Sequence, residues 1–204
     1  MVFITFIIPT IGRPSLKQSL ESLLNQTIYD WNAIVIFDGI KNNNDFEIND
    51  NRIKYIEIDK IGNVGYSGYV RNIGFKEIDY YNTEWIGFLD DDDTLGPSYI
   101  EKLKEEISIK PTIEVCIFRM SDSKGNIIPN KLIKNIIKCN IGISFAIKSQ
   151  LTKNYLFQNN KYEDYIYLKN LEYKKHKIVI SSYVNYFVRC KPYMTEFYPK
   201  IYIN

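Results

Sequence analysis

The first 110 residues alternate short β-rich apolar runs with segments of helical periodicity, and this alternation restricts the fold more than any other feature. It is the pattern of a mostly parallel sheet with helices packed on it. VFITFII (residues 2–8) predicts a first strand. PSLKQSLESLLNQ follows as a helix opened by Pro14, with Leu16, Leu20, Leu23 and Leu24 on one face. WNAIVIFDG and RIKYIEI predict two further strands, SGYVRNIGFKEIDYY a helix with Val70, Ile73 and Gly74 toward the sheet, and EWIGFLD a fourth strand. A helix from Pro97, with Ile100, Leu103 and Ile107 at helical spacing, completes the order β-α-β-β-α-β-α.

The second half reads differently. IEVCIFRM and GISFAIK predict strands on either side of the turn SDSKGN, NKYEDYIYLKNLEYKKH a helix, and KIVISSYVNYFVR a last strand. The expected fold class is therefore α/β, a mostly parallel central sheet flanked by helices with a mixed C-terminal half. At 204 residues the chain is expected to form one domain, 1–204, with a core that needs no disulfide or structural metal.

Composition excludes several classes. With 26 basic and 24 acidic side chains there is no charge excess for binding nucleic acid. Cys116, Cys139 and Cys190 are odd in number and far apart, which argues for free thiols in a reducing, cytoplasmic setting and against a disulfide framework or zinc site. VFITFII is too short to span a bilayer and has no basic flank or cleavage site, so no transmembrane segment is expected. The aromatic tail KPYMTEFYPKIYIN is a candidate for peripheral membrane contact. KNNND (Lys41 to Asp45) reads as a loop, and YKKHK, which holds the lone His176, as a solvated helix end.

GFLDDDDTLGP (87–97) carries the chemistry. Four adjacent carboxylates after a buried strand repel one another, and a helix cap needs only one of them. A divalent cation resolves the rest: hard oxygen ligands select Mg²⁺ or Mn²⁺, which bridge to phosphate oxygens and stabilise charge on a leaving diphosphate. Ligands gather at the carboxyl ends of parallel strands, and three polar groups fall there: PTIGR after the first strand, Asp38 after the second, and the Asp cluster. Arg71, early in its helix, is either a bidentate phosphate contact or a surface arginine beside an acidic loop.

Three stretches together resemble the successive signatures of family 2 glycosyltransferases: FIIPTIGRPSLKQSLESLLNQTIYDWNAIVIFDG, GNVGYSGYVRNIGFKEIDYYNTEWIGFLDDDDTLGP and NKYEDYIYLKNL. The resemblance implies the GT-A fold, with residues 1–110 holding the nucleotide-sugar and 111–204 the acceptor. It implies inverting transfer of a single sugar from a nucleotide-sugar, a UDP-sugar first among them, to a glycan, protein or lipid acceptor. It places Pro9, Thr10 and Arg13 in the nucleotide loop, Asp38 on the base, and Arg71 and Asn72 near the diphosphate. Phe37 stands where many members carry another Asp. Asp92 is implied as the direct metal ligand, with Asp90 and Asp91 on donor hydroxyls or, for Asp90, on the metal; Asp93 and Thr94 are left for the cap. Inversion needs a base on the acceptor, and Asp164 is implied for it, with Glu163 beside it on the acceptor side. FVRCKP offers only Arg189 and Lys191 where processive members carry QxxRW.

Three rival readings stand beside this one. Asp90-x-Asp92-x-Thr94 also fits the first motif of haloacid-dehalogenase-like phosphatases, although three strands precede it. Asp90, Asp92, Thr94 and Glu101 fall in the spacing of a calcium loop, but Leu95 stands where its turn needs glycine. A catalytically silent nucleotide-sugar-binding module would share every donor-side feature.

Overall fold

In the computed structural model, which describes residues 2–42, 48–62, 66–78 and 82–188, one sheet runs through both halves of the chain. Its strands are β1 (Val2–Thr10), β2 (Trp31–Asp38), β3 (Ile53–Ile58), β4 (Thr83–Phe88), β5 (Asp93–Leu95), β6 (Val115–Ser121), β7 (Ile127–Ile128), β8 (Phe145–Lys148) and β9 (Ile178–Val188). The spatial order is β3-β2-β1-β4-β8-β6-β9-β5, with β7 paired to β6. β3, β2, β1 and β4 are parallel. β8 is antiparallel to both β4 and β6, so β6 runs the same way as β4, and β9 is parallel to β6. The carboxyl ends of β1, β2, β4, β6 and β9 thus share one edge of the sheet.

The helices are α1 (Leu16–Leu24), α2 (Gly68–Glu77), α3 (Tyr99–Ile109) and α4 (Glu163–Tyr173), with a 3₁₀ turn at Ser149–Lys153. Successive strand residues face opposite sides, and β1 shows the two layers directly. Phe6 meets the Tyr99 ring of α3 at 5.6 Å, whereas the next residue, Ile7, packs against Gly74 of α2. Leu16, Leu20 and Leu23 of α1 are fully buried and Leu24 partly so. Each fully buried leucine contributes about 1.5–3 kcal/mol. Val70 is buried against the sheet and Ile73 partly buried. Phe75, Phe88, Phe145, Phe157 and Tyr167 form one aromatic cluster that spans both halves, with Phe157 and Tyr167 stacked at 4.2 Å.

Two expectations are corrected. The third helix begins at Tyr99 after Ser98, not at Pro97, and Asp93 and Thr94 do not cap it. They form β5 instead, because β9 returns alongside and pairs Val188 with Asp93 and Phe187 with Thr94. Among the described residues no helix is long and apolar enough to cross a membrane. Cys190, Arg189, Lys191 and the tail from 192 lie outside the described residues, as does most of KNNND.

Candidate active site

The four aspartates follow β4 at the carboxyl edge, and the turn between β4 and β5 sends them in different directions. Asp91 points back into the protein. Its carboxylate accepts from Thr10 Oγ1 at 2.8 Å and from Arg13 Nη1 at 2.6 Å, and Ile11 N–H approaches at 3.4 Å. Thr10 Oγ1 in turn accepts from Gly12 N–H at 2.9 Å, so Asp91 organises the loop after β1. Burial pushes the Asp91 carboxyl up, and Arg13 and Thr10 oppose that shift. Pro9 lies inside β1, paired with Ile36.

Asp90, Asp92 and Asp93 converge. Each offers a carboxylate oxygen within 4.8 Å of the others. An octahedral Mg²⁺ or Mn²⁺ with ligands about 2.1 Å away holds its oxygens roughly 3 to 4 Å apart, so three hard oxygens at this spacing fit such an ion. Asp93 thus joins a group expected to comprise Asp90 and Asp92. Tyr186 of β9, fully buried, ties the group together: its hydroxyl accepts from Asp90 N–H at 3.2 Å and donates to the Asp93 carboxylate. Burial, with the charges of Asp93 and Asp90, pushes the Tyr186 phenol well above its ordinary range. Arg13 Nη1 lies 3.4 Å from Asp92 and its side chain is 37% exposed, so solvent reaches this cation beside the cluster.

Arg71 is placed otherwise. It is 2% exposed and bridges two carboxylates, Asp90 at 2.6 Å and Glu163. Burial disfavours its charge, but Asp90 and Glu163 outweigh that and leave the guanidinium more firmly protonated than usual. Glu163 also accepts Ser67 N–H at 3.2 Å and Gly68 N–H at 2.7 Å, so a residue from the first turn of α4 caps the start of α2. A side chain on Gly68 would meet Glu163 Oε2 at 2.6 Å, which is why glycine stands there. Asn72 is likewise engaged within the protein: its amide donates to Phe157 O and accepts from Phe157 N–H, both at 2.9 Å.

Asp38, 4% exposed, closes the end of β2. It accepts Lys60 Nζ at 2.7 Å, Ile61 N–H at 2.7 Å and Gly62 N–H at 3.0 Å. Gly39, at φ 76°, lets Lys60 come that close, since a side chain there would meet Lys60 Cβ at 2.6 Å. Phe37 is fully buried beside Tyr55, a packing position. His176 bridges Glu114 and Tyr155 at 3.1 and 2.9 Å. Glu101 binds Thr27 from within α3.

Asp164 stands at the same edge, next to Glu163. The residue is half-buried, yet its Oδ1 is closed to solvent and has no hydrogen-bond partner among the described residues. Burial pushes its carboxyl up to about 8; Arg71 opposes the shift, while Glu163 and Asp90 add to it. Asp93 and Tyr186 are the site residues that sequence reading missed. Asp93 carried a signal, as the fourth member of the acidic run, whereas Tyr186 carried none among 17 tyrosines.

The model of glycosyl transferase family 2 matches residues 5–166. No curated protein matches the chain in sequence. Among solved structures, S. aureus TarS 1–349 in complex with UDP-GlcNAc superposes with a TM-score of 0.74 at 17% identity, covering 93% of this chain and 59% of that one. The mannosyltransferase PcManGT from Pyrobaculum calidifontis, in complex with GDP-Man and Mn²⁺, gives 0.61 at 10% identity, covering 87% and 54%. The chain thus spans about three fifths of TarS 1–349. At such identities the likeness is one of fold, the GT-A fold. The family match runs from β1 into α4, taking in Thr10, Arg13, Asp38, Arg71, the Asp cluster and Asp164, and the chain belongs to glycosyl transferase family 2.

Proposed function

We propose that this domain transfers a single sugar from a nucleotide-sugar, most simply a UDP-sugar, to an acceptor hydroxyl with inversion, and that it needs Mg²⁺ or Mn²⁺. The observation that carries the reading is the convergence of Asp90, Asp92 and Asp93 beside a solvent-accessible Arg13 at the carboxyl edge of a family 2 fold. A bound divalent ion would supply Lewis-acid stabilisation of the departing diphosphate. Asp92 and Asp90, with Asp93, hold it, and Arg13 adds a reachable positive charge on the donor side. Arg71 is too enclosed to meet a diphosphate directly; it fixes Asp90 and so acts on the donor through that carboxylate. Asp38 and Asp91 shape the walls of the donor pocket through the loops they tie, and Pro9, Thr10 and Asn72 hold the backbone around it.

Asp164 is the base. Its raised pKa makes the ionised carboxylate a stronger proton acceptor than an ordinary one, and the half-buried residue stands at the carboxyl edge of the sheet, where an acceptor hydroxyl would lie. Glu163, fully engaged with α2 and Arg71, orients Asp164 from the neighbouring position. Free thiols at Cys116 and Cys139 suit a cytoplasmic setting.

A thermal-shift panel of UDP, GDP, dTDP and CMP with and without Mn²⁺ tests the reading. A ligand at ~100 times its dissociation constant adds about 2.7 kcal/mol, so one nucleotide should raise the melting temperature only when the metal is present. TarS was solved with UDP-GlcNAc and PcManGT with GDP-Man, so the panel also identifies the base. No shift with any nucleotide, together with hydrolysis of an aryl phosphate in Mg²⁺, would reject it in favour of the phosphatase motif. Binding without turnover would mark a silent module.

A further inference from the structure

Between Ser123 and Tyr162 the sequence contains seven lysines and no aspartate or glutamate. The densest part is NKLIKNIIKCN (130–140), where Lys131, Lys134 and Lys138 alternate with Leu132, Ile133, Ile136 and Ile137. Leu132 is 76% exposed and Ile137 41%, so two large aliphatic side chains stand in solvent within the same basic stretch. Among the described residues none of the three lysines has a carboxylate within ion-pair distance, in contrast to Lys148, which pairs with Glu84.

The stretch has neither helix nor strand, yet it is held firmly. Arg119 of β6, 4% exposed, donates to the carbonyls of Pro129 and Asn130 at 2.6 Å and of Lys131 and Ile133 at 3.3 Å. A guanidinium buried without a carboxylate lies on the segment's backbone, while Lys131, Leu132 and Lys134 remain in solvent. At the other end Lys138 Nζ sits 3.9 Å over the ring of Tyr162, the residue before Glu163 and Asp164. The basic, apolar surface therefore borders the acceptor side of the crevice.

We infer that residues 131–138 dock the domain on an anionic membrane, so that the acceptor is one displayed at a lipid surface. Lysines near an anionic leaflet each strengthen binding roughly fivefold, and apolar side chains among them enter the headgroup boundary. A soluble polyanion would satisfy Lys131, Lys134 and Lys138 but leave Leu132 and Ile137 in water, so the exposed aliphatic pair favours the membrane. The consequence for the acceptor rests on Asp164 being the base; the membrane contact itself does not.

Flotation of the full chain with phosphatidylcholine vesicles, with and without phosphatidylglycerol, tests this. The chain should bind only the vesicles with phosphatidylglycerol. Lys131→Gln with Lys134→Gln should lower the partition coefficient by roughly tenfold or more, and Leu132→Ser should lower it as well. The melting temperature of each variant, and its shift with UDP and Mn²⁺, should match the parent chain. Absence of binding by the parent chain overturns the inference, as does binding that survives in both variants. Loss in the lysine variant with full binding in Leu132→Ser also overturns it and indicates a soluble polyanion partner. Failure of the nucleotide panel in the parent chain would bear on the donor reading and leave the vesicle result intact.

Discussion

Replacing Asp92 by alanine removes one of three converging carboxylate oxygens while leaving Asp91 to hold the loop after β1. Asp92→Ala should therefore keep its fold and lose the Mn²⁺-dependent rise in melting temperature with nucleotide; a retained rise would take Asp92 out of the metal site. Tyr186→Phe is subtler. It deletes only the hydroxyl between Asp90 N–H and Asp93, and loss of such an outer contact typically costs 10–100-fold in metal affinity. Mn²⁺ titration should show weakening of about that size. Asp164→Asn should spare donor binding and stop transfer, which product assays alongside the thermal shift would show. Its pH signature has a definite sign. Because the folded carboxyl holds its proton up to about 8 while an unfolded aspartate releases it near 4, the folded state binds more protons between these limits. Stability of the metal-free protein should thus fall as pH rises through that window, and Asp164→Asn should flatten the fall in melting temperature.

At the level of elements, the contact between α2 and α4 is the one with consequences. Gly68→Ala puts a methyl 2.6 Å from Glu163 Oε2 and pushes out the carboxylate that caps α2 and pairs with Arg71. Losing such a buried, charged partnership costs about 3–5 kcal/mol, so a melting curve should show a drop of many degrees; an unchanged curve would mean the cap is dispensable. Nothing local in SGYVRN predicts this arrangement. Every long strand and all four helices among the described residues were legible, because a continuous apolar run such as VFITFII marks a strand buried on both faces and LKQSLESLL carries a period of 3.6. β5 and β7 were not, since three and two residues have no period of their own and become strands only where β9 and β6 lie beside them. The same distinction separates the site residues. The acidic run after β4 announced itself, but that Asp38, Asn72 and Glu163 spend their hydrogen bonds inside the protein depends on partners up to 96 positions away.

Across the whole molecule the two halves are joined by a shared sheet and a shared core. β4 pairs with β8, the Tyr99 ring lies 4.3 Å from that of Phe118, and Phe88 meets Phe145 at 5.1 Å. A fragment of residues 1–110 would expose the β4 edge and one side of these rings, and we expect it to show no cooperative melting transition; a sharp transition would show that residues 1–110 fold alone. The ends of the same sheet have a consequence for life in a crowded solution. At one end β3 carries exposed Lys54 and Glu57, with Lys54 paired to Glu77, and at the other β5 is only three residues long. Neither end offers a neighbouring chain the long, uncharged row of backbone groups from which fibrils grow, so a strongly β-rich, tyrosine-laden protein has its sheet margins guarded against self-templating.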